Sequence, residues 1–193
     1  MRKFLLPVVL ISSFLMNAQI EFKPGVKAGV NSANITNSVV DAKTDFYAGA
    51  FLTVKFADFY NLQPEIVYSR QGAGRPELDG LNADELELNY ISLVIANKFF
   101  PFKDLGVHAI VGPSFDFKVS DNYDPDFGDD IVGFDFGLIG GVGYEFPFGL
   151  SVEARYKQGF VDIFGENVND TVSFDELFAN KVLQVGVAYQ FNI

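Results

Sequence analysis

An all-β, eight-stranded antiparallel up-and-down transmembrane β-barrel is the fold this 193-residue sequence predicts, on three observations. The first is alternation with period two. Leu150, Val152, Ala154 and Tyr156 alternate with Ser151, Glu153, Arg155 and Lys157; Leu183, Val185, Val187, Tyr189 and Phe191 alternate with Gln184, Gly186, Ala188 and Gln190. Such segments are strands with two unlike faces. The second is the chemistry of the faces. One is bulky and aromatic, which suits lipid; the other is rich in Gly, Ser and Ala with a few charges, which suits a narrow wet interior. The third is the spacing of the connections, which alternate short and long as in outer-membrane barrels.

The elements follow in order. Residues 1–18 are expected to be a secretory signal: Arg2 and Lys3 start it, and Phe4 to Met16 is an apolar run of 13 residues, too short to span a bilayer as a helix. Cleavage after Ala18 would start the mature chain near Gln19, with no Cys following for a lipid anchor. The first strand is predicted over 22–34, with Val26, Ala28 and Val30 opposite Lys27, Gly29 and Asn31. The second covers 45–57, where Phe51 is an exception on the otherwise small and polar face. The third covers 59–72, with Leu62, Pro64, Ile66 and Tyr68 opposite Gln63, Glu65 and Ser69. The fourth, 85–100, is the least regular, because Asn97 falls on the apolar face of Ile91, Leu93, Ile95 and Phe99. The fifth covers 105–120, the sixth 131–146, the seventh 150–160 and the eighth 178–191.

Short connections near Asp58, at 101–104 and at 147–149 alternate with long ones at 35–44, 73–84, 121–130 and 161–177. Short turns belong in the periplasm and long loops outside. An even strand number then leaves both termini on the periplasmic side.

Composition narrows the function classes. Fourteen Lys and Arg against 25 Asp and Glu argue against a nucleic-acid partner, which wants a basic surface. With no Cys there is no disulfide, thiolate metal site or thiol nucleophile. Twenty-two Phe and eight Tyr suit strands and interfacial girdles. The alternative architecture is a soluble barrel or sandwich with its apolar face inward. Eight strands enclose only enough room for side chains to fill, and about five large residues from each strand would overfill it.

Several segments resemble a known family. Leu62-Gln63-Pro64-Glu65-Ile66-Val67-Tyr68-Ser69, Gly149 through Tyr156, Phe136-Gly137-Leu138 through Phe146, and Val185 through Phe191 resemble strands of the small outer-membrane β-barrel family often labelled porin-family or PorT-like. The resemblance covers nearly all of the mature chain and implies architecture more than activity. It implies a part in protein secretion for some PorT-like members only. Two positions depart from the pattern: Asn192 and Ile193 follow the usual terminal aromatic, Phe191, and Asn97 stands where an apolar residue is usual.

The candidate site is the set of inward charges. On the strand phase these are Lys27, Lys55, Glu65, Lys98, Asp116, Lys118, Asp135, Glu145, Glu153, Arg155 and Lys157. Both signs occur on neighbouring strands, so a paired network that plugs the barrel is expected, with a path for ions or small solutes as the alternative. Tyr68, Phe99, Phe117, Tyr144, Tyr156, Tyr189 and Phe191 are assigned to two aromatic girdles.

Other constellations are weaker. His108 is the single histidine, and Ser114 lies roughly 20 Å along the same strand at about 3.3 Å per residue, which excludes a same-strand dyad; pairing with Ser151 or Ser92 stays open. Residues 121–130 are acidic but lack EF-hand spacing, so a solvated loop is expected, with divalent bridging to outer-leaflet sugars the alternative. Gly137, Gly140, Gly141 and Gly143 precede strand-like residues, not a helix, so they read as close backbone approach and not as a phosphate loop. No catalytic, metal or cofactor site is expected. The expected partners are outer-membrane lipid and a protein met through the long loops. The expected role is structural or interactive. A narrow channel, a secretion component, a lipid hydrolase using His108 and a soluble ligand-binding barrel are the alternatives.

Overall fold

The computed structural model describes residues 21–35, 40–76, 86–102, 104–122, 133–160 and 180–192. The predicted signal segment, much of the four long connections and most of the acidic run at 121–130 lie outside the described residues.

Eight strands are present: β1 (Glu21–Ile35), β2 (Val40–Ala57), β3 (Tyr60–Pro76), β4 (Leu86–Phe99), β5 (Val107–Asp121), β6 (Phe134–Glu145), β7 (Leu150–Gly159) and β8 (Asn180–Gln190). Each pairs antiparallel with the next, and β1 pairs with β8 to close a barrel. Closure removes the free strand edges that lipid could not satisfy. β2 starts at Val40, not Asp45, and β3 continues to Pro76, not Gly72. Residues 40–44 and 73–76 carry no alternation of bulky apolar residues in the sequence, so the strand signal is missing there.

The two faces settle which way the pattern points. Ile66 and Val142 are 60% and 61% exposed on the outside, whereas Lys27, Glu153 and Arg155 are 4%, 2% and 3% exposed within. The bulky apolar side chains face outward. The interior also takes some apolar residues. Val94, Ala96, Ile110 and Ile139 form a patch on the β4–β6 wall, and Phe51 points inward beside Gly25.

Two of the short turns end on a glycine in the left-handed region, Gly106 (φ 70°) and Gly149 (φ 89°). A Cβ at either would run into a neighbouring strand's backbone carbonyl, Glu145 O or Gln190 O, so glycine is required twice over.

Asn97 has a local explanation. The β4–β5 ladder pairs Val94 with Ser114 and Asn97 with Val111, and opposite Ile95 stands Pro113, which has no N–H to give. Asn97 Nδ2 donates to the Ile95 carbonyl at 3.3 Å and to the Val111 carbonyl at 3.1 Å, and its Oδ1 accepts from Tyr60 Oη at 2.8 Å. The amide is satisfied at the polar edge of the belt and supplies a donor that the proline removes.

Candidate functional site

Inward positions from five strands converge at mid-barrel. Arg155 (β7) donates to Glu65 (β3) from both guanidinium arms, at 2.9 and 2.8 Å. Lys27 (β1) donates to the same carboxylate at 3.0 Å and lies 3.5 Å from Glu153 (β7). Lys98 (β4) donates to Glu153 at 2.6 Å, and Arg155 lies 2.7 Å from it. The two carboxylates thus hold three cations between them. Gln63 Nε2 donates to Glu65 at 2.7 Å while its Oε1 accepts from Thr53 Oγ1 at 3.2 Å, extending the network toward the short-turn end.

A second pair lies toward the long loops. Lys157 donates to Asp116, which also accepts from Ser114 Oγ at 2.9 Å. Beside it Asn31 and Gln71 both donate to Ser69 Oγ, at 2.9 and 3.0 Å. Between the two layers, a void lined in part by Glu65, Arg155, Ser114 and Lys157 measures about 10 Å³, no more than one water's worth. Among the described residues the middle of the lumen holds four buried cations (Lys27, Lys98, Arg155, Lys157) and four buried anions (Glu65, Asp116, Asp135, Glu153); a fifth buried cation, Lys43, lies at the long-loop end. A neutral, mutually paired set is the form in which buried charge is tolerable.

Small residues make room for the large ones. Gly29 and Gly186 face each other across the β1–β8 seam, and a Cβ on Gly186 would strike Tyr47 Oη and the Ala28 carbonyl. Gly143 leaves the space that the His108 ring fills. The glycines of β6 therefore mark close approach. Gly140 differs, pointing outward into open space.

The inward charges divide into two groups. Lys27, Glu65, Lys98, Asp116, Asp135, Glu153, Arg155 and Lys157 are buried. Lys55, Lys118 and Glu145 are a correction: they keep the inward phase but sit at the mouths, outside the buried network. Lys55 pairs with Asp58 at 3.0 Å and Lys118 with Asp121 at 2.6 Å, while Glu145 lines the short-turn mouth. The strand phase continues to the rim, but there water already solvates a charge. Of the aromatic set, Tyr68, Phe117 and Tyr156 are exposed on the outside toward the long loops, and Phe99, Tyr144, Tyr189 and Phe191 toward the short turns. Phe46, Phe134 and Tyr60 join them through ring contacts of 5.3–6.1 Å.

His108 is fully buried against Phe100, with ring centroids 4.9 Å apart. Its Nδ1 donates to the Gly106 carbonyl at 3.2 Å, and its Nε2 lies 3.7 Å from Glu153. The group beside the imidazole is a carboxylate already engaged by three cations. Ser92 stands eight residues farther along, opposite Asp116, and Ser151 stands opposite Glu145 and Ala188. The His108–serine pairings left open by the sequence do not form.

The sequence reading missed one cluster on the outer rim at the long-loop end. Arg70 lies over the Phe46 ring at 6.0 Å and pairs with Glu87 and, at 3.2 Å, with Asp45; Lys43 lies 3.3 Å from Glu87. The β1–β2 register runs unbroken from Lys55 to Lys43, so Lys43 and Asp45 keep the inward phase of Tyr47; a shift in the β2–β3 register between Ala42 and Tyr47 brings this end of β2 beside Arg70. These groups lie one step beyond Tyr68, past the membrane-spanning part. The Lys43 ammonium, with the Arg70 guanidinium behind it, holds the Glu87 carboxyl below the usual carboxylate range.

Comparisons agree with this architecture. The neisserial surface protein A (NspA) structure is 16% identical, covering 88% of this chain and 97% of that one, with a TM-score of 0.51. Ail, the attachment invasion locus protein of Yersinia pestis, solved in complex with the heparin analogue sucrose octasulfate, is 11% identical, covering 89% and 99%, with a TM-score of 0.52. At these identities the likeness is one of fold. No curated protein matches the chain. The family described as outer membrane protein beta-barrel domain matches residues 17–165, most of the chain and seven of its eight strands. The chain is therefore a member of that outer-membrane β-barrel family.

Proposed function

We propose that this outer-membrane barrel is a non-enzymatic, non-conducting scaffold that acts through its long connections, as a structural or interaction protein. The observation that carries the proposal is the lumen, where the Glu65–Arg155–Glu153 network and its lysines fill the cross-section and leave about 10 Å³ between layers. With the interior committed to ion pairs, the surfaces left for recognition are the loops on a rigid scaffold. The chain is exported by the signal at 1–18, its short turns lie in the periplasm, and its aromatic rings sit at the two interfaces of the bilayer.

The charge of the long connections narrows the partner. Residues 121–130 carry Asp121, Asp124, Asp126, Asp129 and Asp130, and residues 161–177 carry Asp162, Glu166, Asp170, Asp175 and Glu176, with no Lys or Arg in either run. Such segments favour a basic protein surface or a cation-bridged one and repel polyanions. For that reason the sulfated ligand of Ail is not carried over to this chain. The secretion role of some PorT-like proteins rests on resemblance alone, and no residue here carries it.

Planar-bilayer recording tests the proposal. The purified barrel is expected to insert without resolvable current. Reproducible single-channel steps from the unaltered protein would overturn the scaffold reading in favour of a channel.

A further inference from the structure

The short-turn mouth of the barrel opens into a cavity of about 140 Å³, room for several waters. It is blind: Thr53 and Gln63, hydrogen-bonded to each other, lead into the Glu65 network at its floor. Phe100 forms part of the wall, buried and braced from behind by His108. Two of the cations that line it are already matched, Lys23 by Glu21 at 3.0 Å and Lys55 by Asp58 at 3.0 Å. Two acceptors are not. The lining carries two cations and two carboxylates, and among the described residues no cation lies within ion-pair distance of Glu145. Asn61 is 9% exposed, and its Oδ1 has no hydrogen-bond partner, although nearly all buried polar atoms find one.

We propose that this mouth is a binding cup for a protonated alkylamine. Glu145 is its counter-ion, Asn61 Oδ1 a second acceptor, and the Phe100 ring the wall that its stem packs on. The chemistry follows from what is unmatched. A spare carboxylate and a spare carbonyl oxygen both accept hydrogen bonds, an ammonium has three to donate, and an aromatic face attracts a cation. An anion finds only lysines that already have partners, and a neutral alcohol brings no charge to the unpaired Glu145 carboxylate. The cup needs no opening of the plug, so it goes beyond the scaffold reading and does not depend on it.

The test uses the full barrel in detergent micelles, where both mouths are open to solvent, with n-butylammonium, n-butyrate and n-butanol as probes. Backbone NMR shifts of Asn61, Phe100 and Gln190 report binding. Butylammonium is expected to give saturable shifts at these residues, and butyrate and butanol are not. Glu145→Gln, which keeps the shape and removes the charge, is expected to weaken binding about tenfold, the loss of one charge-assisted hydrogen bond. Asn61→Ala is expected to weaken it several-fold. Heat-modifiable gel mobility confirms that each variant is folded. Equal binding of butyrate, an unchanged affinity in Glu145→Gln, or no saturable shift with butylammonium would each overturn the proposal. Silent conductance would leave it standing, so its failure and that of the scaffold reading are separable.

Discussion

Arg155 and Glu65 lie 90 residues apart in sequence and meet across the lumen guanidinium to carboxylate, joined by two hydrogen bonds of 2.9 and 2.8 Å. The pair ties β7 to β3 through the centre of the barrel, not along its wall. Glu65→Gln leaves Arg155 and Lys27 buried with half their counter-charge. It is expected to cost about 3–5 kcal/mol, the usual penalty for breaking a buried pair from one side. Replacing both partners, Glu65→Leu with Arg155→Met, is expected to cost less than the sum of the single changes. Urea unfolding in lipid vesicles measures both, and a single-variant loss below about 1 kcal/mol would contradict a structural role for the pair.

Asn97 and Pro113 form a second dependent pair. Asn97→Leu puts a better residue against lipid yet strands the Ile95 carbonyl and the Tyr60 hydroxyl. A net loss of about 1–2 kcal/mol is expected. In a Pro113→Ala background the restored N–H can serve Ile95, and the same Asn97→Leu change is expected to cost about half as much or less. A double-mutant cycle on unfolding free energy decides, and strict additivity would refute the coupling.

Gly143→Ala places a methyl group against the His108 ring, with the Glu153 side chain behind it. Overpacking of this kind typically costs about 1–3 kcal/mol. Because the atoms in the way are side-chain atoms, His108→Ala is expected to relieve the clash, so the double variant should be more stable than the sum of its parts predicts. Unfolding midpoints of the four proteins check this. Gly186→Ala offers no such relief, since it also meets the Ala28 backbone.

At the outer rim, Glu87 titrates below an ordinary glutamate because Lys43 and Arg70 favour its charged form. The sign follows from linkage. The stabilisation is present above the unfolded-state value and is lost as pH falls through the lowered folded-state value. Lys43→Gln is expected to raise the Glu87 midpoint toward the ordinary range. Side-chain carboxyl NMR measures it directly, and an unchanged midpoint would show that Lys43 has no hold on this group.

Much of the barrel was legible in the sequence because a strand reports its two faces every second residue. The eight elements, the outward direction of Leu150, Val152, Tyr156 and Val187, and the inward direction of Glu153 and Arg155 all follow from that period. The pairing inside was not legible. Whether Arg155 meets Glu65 or Asp116 depends on the stagger between strands far apart in sequence, which alternation does not encode. The Lys43–Asp45–Arg70–Glu87 cluster was hidden because alternation does not report the β2–β3 register shift that brings Asp45 to Arg70, and because Lys43 lies before the predicted start of its strand. Phase also tells inward from outward but not mid-barrel from mouth, so alternation alone does not separate Lys55, Lys118 and Glu145 from the buried charges. Asn97 looked like an error of pattern until Pro113 was placed opposite its neighbour Ile95.

The absence of native cysteine makes the most direct measurement clean. Single cysteines at Val152, Val185 and Val187, and at Ser92, Ser114 and Ser151, can each carry a nitroxide in vesicle-embedded protein. Accessibility to oxygen, which concentrates in hydrocarbon, is then compared with accessibility to a water-soluble nickel chelate. The account predicts high oxygen and low nickel accessibility at the three valine positions, and low accessibility to both at the three serine positions. High nickel accessibility at the valines, or oxygen reaching the serines as it reaches lipid, would contradict it.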